Sequence, residues 1–317
     1  MRDLLVIKPS SLGDIVHALR VVASVKEDRP EAKIYWVARD LFAPIARASG
    51  LVERVYEFRR GAGPFAFLRL LKEIRSRRFD QALEMQGLLR SAVMVFSAKA
   101  GQKWGRHDGR EGAPLFYTKV APPRNGPDTH AIEVLLAFKE ALGLKPELTG
   151  KLRFPESKLT KENKDLLDQV TEGGKLPLIT LFPESRRRGK EWPRYLELAR
   201  KLRDSGQAAV AVASVHAAEG NDWKGMAHLG GKTELAELPA LIEGSAVIVT
   251  NDSAPLHLAS ALERPLIGLF GPTNPLRFGP YPTNSPNAKS IRAPENDLAQ
   301  LTVEAVENEV LALLGEV

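Results

Sequence analysis

The chain has 317 residues, of which 44% are hydrophobic and 26% are charged, a composition typical of a globular protein with about two domains. This composition excludes a largely disordered chain, and the absence of cysteine excludes disulfides, thiolate nucleophiles and iron–sulfur clusters. The formal net charge of +6 is compatible with nucleic acid, an anionic membrane surface or a phosphorylated substrate, and does not choose among these partners.

The first apolar run, residues 4–7, is too short for a secretory signal, which needs about 7–15 apolar residues. No run of about 18 apolar residues, the length of a transmembrane helix, occurs in the sequence. We therefore expect a cytoplasmic protein that is at most attached to a membrane surface.

Short apolar runs typical of strands alternate with helical patterns through the first half of the chain. Strands are predicted at residues 4–7, 34–37, 55–58 and 81–85. Helices are predicted at residues 15–25, 41–48, 65–75, 88–98 and 132–142. This alternation indicates an α/β fold with parallel strands and crossover helices.

A polar stretch interrupts the alternation near residues 156–175, and the pattern then resumes. Strands are predicted at residues 178–182, 208–213, 247–250 and 266–270. Helices are predicted at residues 195–203, 234–242, 256–262 and 303–314. We therefore predict Rossmann-like domains at residues 1–158 and 177–300, a linker at residues 159–176 and a terminal segment at residues 301–317.

Ligands of open α/β sheets bind beyond the carboxyl ends of the strands, so the loops that follow strands are the places to search. The first such loop, residues 9–14, contains Ser10, Ser11 and Gly13, whose small size lets a ligand approach the backbone, and glycine permits unusual backbone angles. Asp14 stands at the predicted helix start. On the local sequence alone we favour a helix cap for Asp14 over a catalytic carboxylate.

Two later loops have the chemistry of an anion site. Ser253 and Pro255 mark a helix start after the strand 247–250, where backbone N–H groups and the helix dipole attract phosphate. His257 lies one turn into that helix, and we favour a packing role for it. The basic run 186–190 follows another strand, which favours phosphate contacts by Lys190 over an ordinary solvated surface.

Other common sites are absent from the sequence. The glycines at residues 61–63 and 230–231 do not complete a dinucleotide or P-loop motif. No two aspartates are separated by a single residue, and the six histidines show no spacing typical of metal ligands. The sequence therefore predicts no metal.

Four segments taken together resemble the lipopolysaccharide heptosyltransferases of glycosyltransferase family 9. They are residues 10–14, 190–193, 251–258 and 269–273. Residues 86–91, 110–111, 115–117 and 130–131 further resemble the heptosyltransferase I members of that family. The resemblance implies the GT-B fold, two facing Rossmann-like domains with a cleft between them. It also implies that the final helix, within residues 301–317, packs back on the first domain.

The resemblance implies an inverting, metal-independent transfer of heptose from ADP-heptose to the Kdo region of the lipopolysaccharide inner core, without a cofactor. Asp14 then falls on the catalytic base and Lys190 on the lysine that contacts the donor phosphates. The first loop is formed by Ser10, Ser11 and Gly13. The other donor-binding positions are Ser185, Arg186, Glu219, Asp252, Ser253, Ala254 and His257, with Ala254 where the family commonly has glycine. The expected acceptor-binding positions are Arg59, Arg60, Arg90, Arg110 and His130.

The expected partners are an ADP-sugar, an anionic glycolipid similar to Kdo–lipid A and, weakly, the membrane surface, with no nucleic acid. Three alternatives stay open. The first is a family 9 transferase with another donor or acceptor, such as a UDP-sugar or the acceptor of heptosyltransferase II. The second is a basic nucleic-acid-binding protein, suggested by residues 186–188, although no known nucleic-acid-binding motif accompanies them. The third is a nucleotide-binding module without activity.

Overall fold

In the computed structural model, the chain forms two compact units, residues 1–156 and 157–317. The structure describes residues 2–124, 126, 128–215 and 223–315. None of the helices in this described part of the chain combines the length and the apolar character needed to cross a membrane.

The first unit is built on a six-stranded sheet in which every neighbouring pair is parallel. Its strands are β1 (Asp3–Ile7), β2 (Lys33–Arg39), β3 (Val52–Phe58), β4 (Arg78–Glu84), β5 (Lys99–Gly105) and β6 (Lys119–Val120). Its helices are α1 (Leu12–Asp28), α2 (Ala43–Ala48), α3 (Gly63–Arg75), α4 (Leu89–Ser97) and α5 (Ala131–Ala141). The strand order is β3-β2-β1-β4-β5-β6. The chain adds strands toward one edge of the sheet up to β3 and toward the other edge from β4 onward, so the order reverses between β1 and β4. Ligands of open sheets bind at such reversals.

Strand β1 lies in the core of this unit. Residues 4–7 are all fully buried, as expected for a parallel strand covered by helices on both faces. Leu5 and Ile7 pack with Leu70 and Ile74 of α3 and with residues of α4 on one face. The alternate side chains of β1 point to the opposite face.

A buried ammonium group joins α1, α5 and the loop that follows α5. Lys139 is fully buried, and its Nζ donates to Ser24 Oγ at 2.5 Å and to the Glu147 carbonyl oxygen at 2.7 Å. The same Nζ lies 2.9 Å from Asp28 Oδ2. Because the ammonium group is fully buried and bonded to all three segments, the cluster holds them in one arrangement.

We expect Lys139→Met to lower the free energy of unfolding by about 2–3 kcal/mol, because the carbonyl, hydroxyl and carboxylate lose a charged donor. The loss is at the lower end for a buried pair, since the Asp28 side chain is 27% exposed and keeps access to water. Urea unfolding measures the change. Lys164→Met is the control, because its pair with Asp168 lies on the surface and should contribute nothing measurable. Equal midpoints for the two variants would contradict this account.

The second unit repeats the architecture of the first with a second parallel sheet. Its strands are β7 (Leu178–Phe182), β8 (Ala209–Val212), β9 (Ala227–His228), β10 (Val247–Asn251), β11 (Leu266–Phe270) and β12 (Ala288–Arg292). Its helices are α6 (Lys161–Val170), α7 (Tyr195–Asp204), α8 (Leu238–Glu243), α9 (Ala254–Ala261), α10 (Pro275–Phe278) and α11 (Val303–Gly315). The order β12-β11-β10-β7-β8-β9 reverses between β7 and β10. Two parallel sheets with flanking helices confirm the predicted fold class.

The segment predicted as a linker at residues 159–176 is largely a structured part of the second unit. Residues 161–170 form α6, and Thr160 begins this helix by accepting from Asn163 N at 3.4 Å. The buried Glu237 accepts from Thr160 N at 2.5 Å and from Asn163 Nδ2 at 3.1 Å, which fixes the helix start to the unit. The unit boundary therefore falls at residues 156–157.

The last helix contributes to the core of the second unit. Val303, Val306, Val310 and Leu313 of α11 are buried in the same core cluster as α7 and strands β7, β8, β10 and β11. The packing of this segment on the first domain stays a prediction.

Candidate active site

The first loop starts α1 with a reciprocal cap between Ser11 and Asp14. Ser11 is the N-cap residue, and Asp14 Oδ2 accepts from Ser11 N at 3.0 Å and from Ser11 Oγ at 2.6 Å. The Asp14 side chain is 46% exposed. Asp14 therefore takes part in capping α1, and its carboxylate stays accessible at the carboxyl edge of the sheet.

Lys8 lies directly beneath this carboxylate. It follows β1, is only 2% exposed, and its Nζ is 3.9 Å from Asp14 Oδ1. Burial lowers the pKa of Lys8, while the attraction of Asp14 acts in the opposite direction. Sequence reasoning missed Lys8, although its place immediately after a buried strand marks it for the ligand-binding edge.

A second buried charge, Glu84, ends the neighbouring strand β4. It is fully buried and accepts from Gln86 N and Gly87 N, both at 2.9 Å, and from Tyr117 Oη at 2.5 Å. Burial and the adjacent carboxylate raise the pKa of Tyr117, so the phenol stays protonated as a donor. Gln86 Oε1 also accepts from Ser10 N at 3.3 Å, which links this turn to the first loop.

Gly87 is required for the turn after β4. Its φ is +76°, and a Cβ atom there would lie 3.2 Å from Arg106 Cδ. Arg106 follows β5 and forms two hydrogen bonds to Asp108, of 2.8 and 2.6 Å. Charges of both signs therefore gather at this edge of the first sheet. We call Lys8, Asp14, Glu84, Arg106 and Asp108 the Asp14 cluster.

In the second unit, the loops after the adjacent strands β7 and β10 meet through an ion pair. Lys190 Nζ lies 2.5 Å from Asp252 Oδ2, and the two side chains are 20% and 7% exposed. Asn251 joins the same loops, because its Nδ2 donates to the Pro183 carbonyl oxygen at 2.7 Å and its Oδ1 accepts from Trp192 N at 3.1 Å. Lys190 is thus held at a fixed place beside the end of β10.

Helix α9 begins at the same place. Ser253 is its N-cap residue, and its hydroxyl is 3.2 Å from Thr250 Oγ1. The first N–H groups of α9 carry the positive end of the helix dipole. An ammonium group beside a helix start is suited to a phosphate-containing ligand. We call Lys190, Asp252 and Ser253 the Lys190 cluster.

The structure places the remaining predicted donor residues in three settings. Ser185 donates its N–H to Glu191 Oε1 at 2.9 Å, and Arg186 is exposed in the same loop. Ala254 and His257 belong to the first turns of α9. Glu219 lies outside the described residues.

Gly13 differs from its predicted role. It lies inside the first turn of α1, so it adopts helical backbone angles and its contribution to the loop is its small size.

The predicted acceptor arginines lie on three different segments of the first unit. Arg59 and Arg60 are exposed in the turn before α3, and Arg110 is exposed with its N–H donated to the Gly87 carbonyl oxygen at 2.9 Å. Arg90 lies on α4, with its guanidinium 5.4 Å from the centre of the Phe58 ring.

His130, the last predicted acceptor residue, lies at the start of α5. It is 2% exposed and caps this helix, its Nδ1 accepting from Ile132 N at 3.2 Å. Across the ranges that the structure describes, no group of three His, Asp or Glu side chains has an arrangement able to hold a metal ion.

The comparisons with known proteins agree with the predicted family. Residues 67–310 match Glycosyltransferase family 9 (heptosyltransferase). The chain is 29% identical to lipopolysaccharide heptosyltransferase 1 of Escherichia coli, covering 95% of each chain. It is 27% identical to the lipopolysaccharide core heptosyltransferase OpsX of Haemophilus influenzae, covering 92% of this chain and 84% of that one. The structure of Escherichia coli heptosyltransferase WaaC with ADP-2-deoxy-2-fluoro heptose superimposes with a TM-score of 0.75 at 25% identity, covering 98% and 99% of the two chains.

Proposed function

Because the chain belongs to glycosyltransferase family 9 (heptosyltransferase) and is therefore a glycosyltransferase, we propose that it transfers heptose from ADP-heptose to the Kdo region of the lipopolysaccharide inner core. The names of the relatives support heptose as the sugar and lipopolysaccharide as the acceptor. The WaaC structure with an ADP-heptose analogue supports ADP as the nucleotide. The observation that carries the proposal is the Lys190 cluster, a fixed ammonium group beside a helix start.

We assign donor binding to the Lys190 cluster of the second unit. The diphosphate of the donor binds at the first turn of α9, with Lys190 beside it and Ser185, Arg186 and His257 contributing from the surrounding loop and helix. When the bond between the sugar carbon and the phosphate oxygen breaks, ADP leaves with the electron pair. Lys190 and the N–H groups of α9 stabilise that developing charge. In this proposal no metal ion or other cofactor takes part.

We assign acceptor activation to the Asp14 cluster of the first unit. Asp14 accepts the proton of the acceptor hydroxyl while the hydroxyl oxygen forms the new bond to the sugar carbon. Attack from the face opposite the departing ADP inverts the configuration at that carbon. Lys8 Nζ lies 3.9 Å from Asp14 Oδ1, and the attraction of this carboxylate opposes the lowering of the pKa of Lys8 by burial.

The acceptor is an anionic glycolipid similar to Kdo–lipid A, located at the cytoplasmic leaflet, where we place the protein as a peripheral enzyme. Arg59, Arg60, Arg90 and Arg110 supply the cations for its carboxylates and phosphates. We assign the exposed Arg186 to the donor and not to nucleic acid, because it stands in the same loop as Lys190. Transfer to acceptors with and without a first heptose distinguishes the heptosyltransferase I reaction from its alternatives.

A thermal-shift experiment with ADP, UDP and GDP tests the donor assignment. A ligand at about 100 times its Kd adds about 2.7 kcal/mol to the stability of the folded state, so specific binding produces a clear rise in Tm. We expect ADP and ADP-heptose to raise the Tm, and UDP and GDP at equal concentration to leave it unchanged. A rise with UDP and none with ADP would overturn the assignment of ADP-heptose.

A further inference from the structure

Large apolar side chains are exposed on one side of the first unit. The exposed fractions are 83% for Phe65, 58% for Leu68, 40% for Leu89, 58% for Phe96 and 86% for Leu115. We call these five residues the α3–α4 surface. A cluster of exposed apolar side chains typically marks an interaction site.

These residues belong to neighbouring elements. Helix α3 packs beside α4, and α4 packs against the short helical turn Ala113–Phe116 that carries Leu115. The rings of Phe96 and Phe116 meet edge to face with centroids 5.7 Å apart. The fold does not use the outer faces, because α3 buries Leu70 and Ile74 against the sheet on its other side. Phe65 and Leu68 are three residues apart, and Leu89 and Phe96 are seven apart, so each pair shares one helix face.

The excess positive charge of the chain falls in the stretch of sequence that carries α3 and α4. Residues 59–103 contain ten Lys and Arg against three Asp and Glu, whereas the other residues contain 35 Lys and Arg against 36 Asp and Glu. Of those three acidic residues, Glu84 is fully buried and Glu73 pairs with Arg54. The exposed cations Arg69 and Lys72 lie on α3, after the exposed apolar residues Phe65 and Leu68 and before the C-terminal end of the helix. An apolar surface bordered by cations complements a lipid surface with anionic headgroups.

We propose that the α3–α4 surface docks on an anionic phospholipid bilayer, with Phe65, Leu68 and Leu115 entering the headgroup region and the neighbouring cations contacting lipid phosphates. The inference rests on the proposed function in one respect, that the acceptor lies in such a bilayer. The predicted acceptor residues adjoin this surface, since Arg59 and Arg60 precede α3 and Arg90 lies beside Leu89 on α4. A second copy of the chain fits less well, because a twofold contact would bring together two surfaces with the same positive border.

Sedimentation of the full chain with vesicles tests the proposal. The vesicles are phosphatidylcholine alone or phosphatidylcholine mixed with phosphatidylglycerol, both without glycolipid acceptor. We expect binding only to the mixed vesicles, weakening as salt rises from about 0.1 M to 1 M, because the Debye length falls from about 10 Å to 3 Å. The double variant Phe65→Ser/Leu68→Ser should bind about tenfold more weakly. The double variant Arg69→Gln/Lys72→Gln should bind about 25-fold more weakly, at about fivefold for each cation.

Matched controls come from the second unit, where Leu276→Ser and Lys161→Gln alter an exposed apolar side chain and an exposed cation. Both should bind like the unmodified chain. Transfer to a water-soluble Kdo saccharide should be unchanged in the α3–α4 variants, so a loss of vesicle binding is distinguishable from a failure of the proposed transfer reaction. Equal binding to neutral vesicles, unchanged binding of both double variants, or self-association that the Phe65→Ser/Leu68→Ser variant abolishes would each overturn the proposal.

Discussion

Asp14→Asn is expected to lower kcat about 10²–10⁴-fold while leaving the affinity for ADP-heptose unchanged. An acceptor hydroxyl is a poor nucleophile at neutral pH, and the asparagine amide cannot take its proton. The donor affinity stays because we place the donor at the Lys190 cluster, in the other unit. Steady-state turnover and ADP-heptose binding by calorimetry measure the two quantities separately.

Asparagine is a matched substitution at this position. Its Oδ1 can accept from Ser11 N as Asp14 does now, so the start of α1 should persist and the Tm should change little. Asp297→Asn is the control, because Asp297 caps a short helical turn by accepting from Ala299 N at 3.0 Å and has no proposed role in transfer. Near-normal turnover of Asp14→Asn would leave Asp14 a capping residue and end its assignment as the base.

Lys190→Ala is expected to lower kcat about 10²–10³-fold and to weaken donor binding as well. The departing ADP gathers negative charge as the bond breaks, so the ammonium group contributes more in the transition state than in the ground state. The substitution also leaves the Asp252 carboxylate, only 7% exposed, without its partner and facing the diphosphate. Steady-state kinetics with ADP-heptose measures both effects.

The double variant Lys190→Ala/Asp252→Asn separates these contributions. We expect it to recover donor affinity, because the unpaired carboxylate is gone, and to keep the low kcat, because the cation is still missing. Lys232→Ala removes a lysine that is 48% exposed and should behave like the unmodified enzyme. A defect of Lys190→Ala confined to KM would show uniform binding of the donor, and the assigned role in the transition state would be wrong.

The sequence is sufficient to predict the fold class, but it does not predict every strand and helix. Buried parallel strands such as β1, β7 and β10 appear as continuous apolar runs, which is why they are predicted. Strands β5 and β12 are not predicted, because their side chains are mostly exposed or only partly buried. Backbone hydrogen bonds join these strands to the sheet, and such bonds leave no apolar pattern in the sequence. Helix α6 resembles a linker for the same reason, since it buries only Asn163 and Leu167.

The candidate site shows a similar limit. The spacing of Ser11 and Asp14 is a local capping pattern, so the hydrogen bond between them is predictable from the sequence. The ion pair between Lys190 and Asp252 is not predictable in this way, because the residues are 62 positions apart. They meet because β7 and β10 are neighbours in the sheet. Alternating strands and helices indicate which elements exist and leave the strand order undetermined.

The hydrogen bonds of Glu84 fix the backbone after β4, while the side chains of the exposed stretch around Arg110 can be exchanged. Glu84 holds Gln86, Gly87 and Tyr117 from inside, and the Gly87 carbonyl oxygen accepts from Arg110 N, so the buried carboxylate helps to anchor the exposed stretch that includes Arg110. Exchanging those outer side chains therefore leaves the backbone next to Asp14 in place. Residues 109–112, which leave out Asp108 and Leu115, are accordingly the segment to graft between relatives when acceptor preference is to be transplanted and the proton-accepting carboxylate kept.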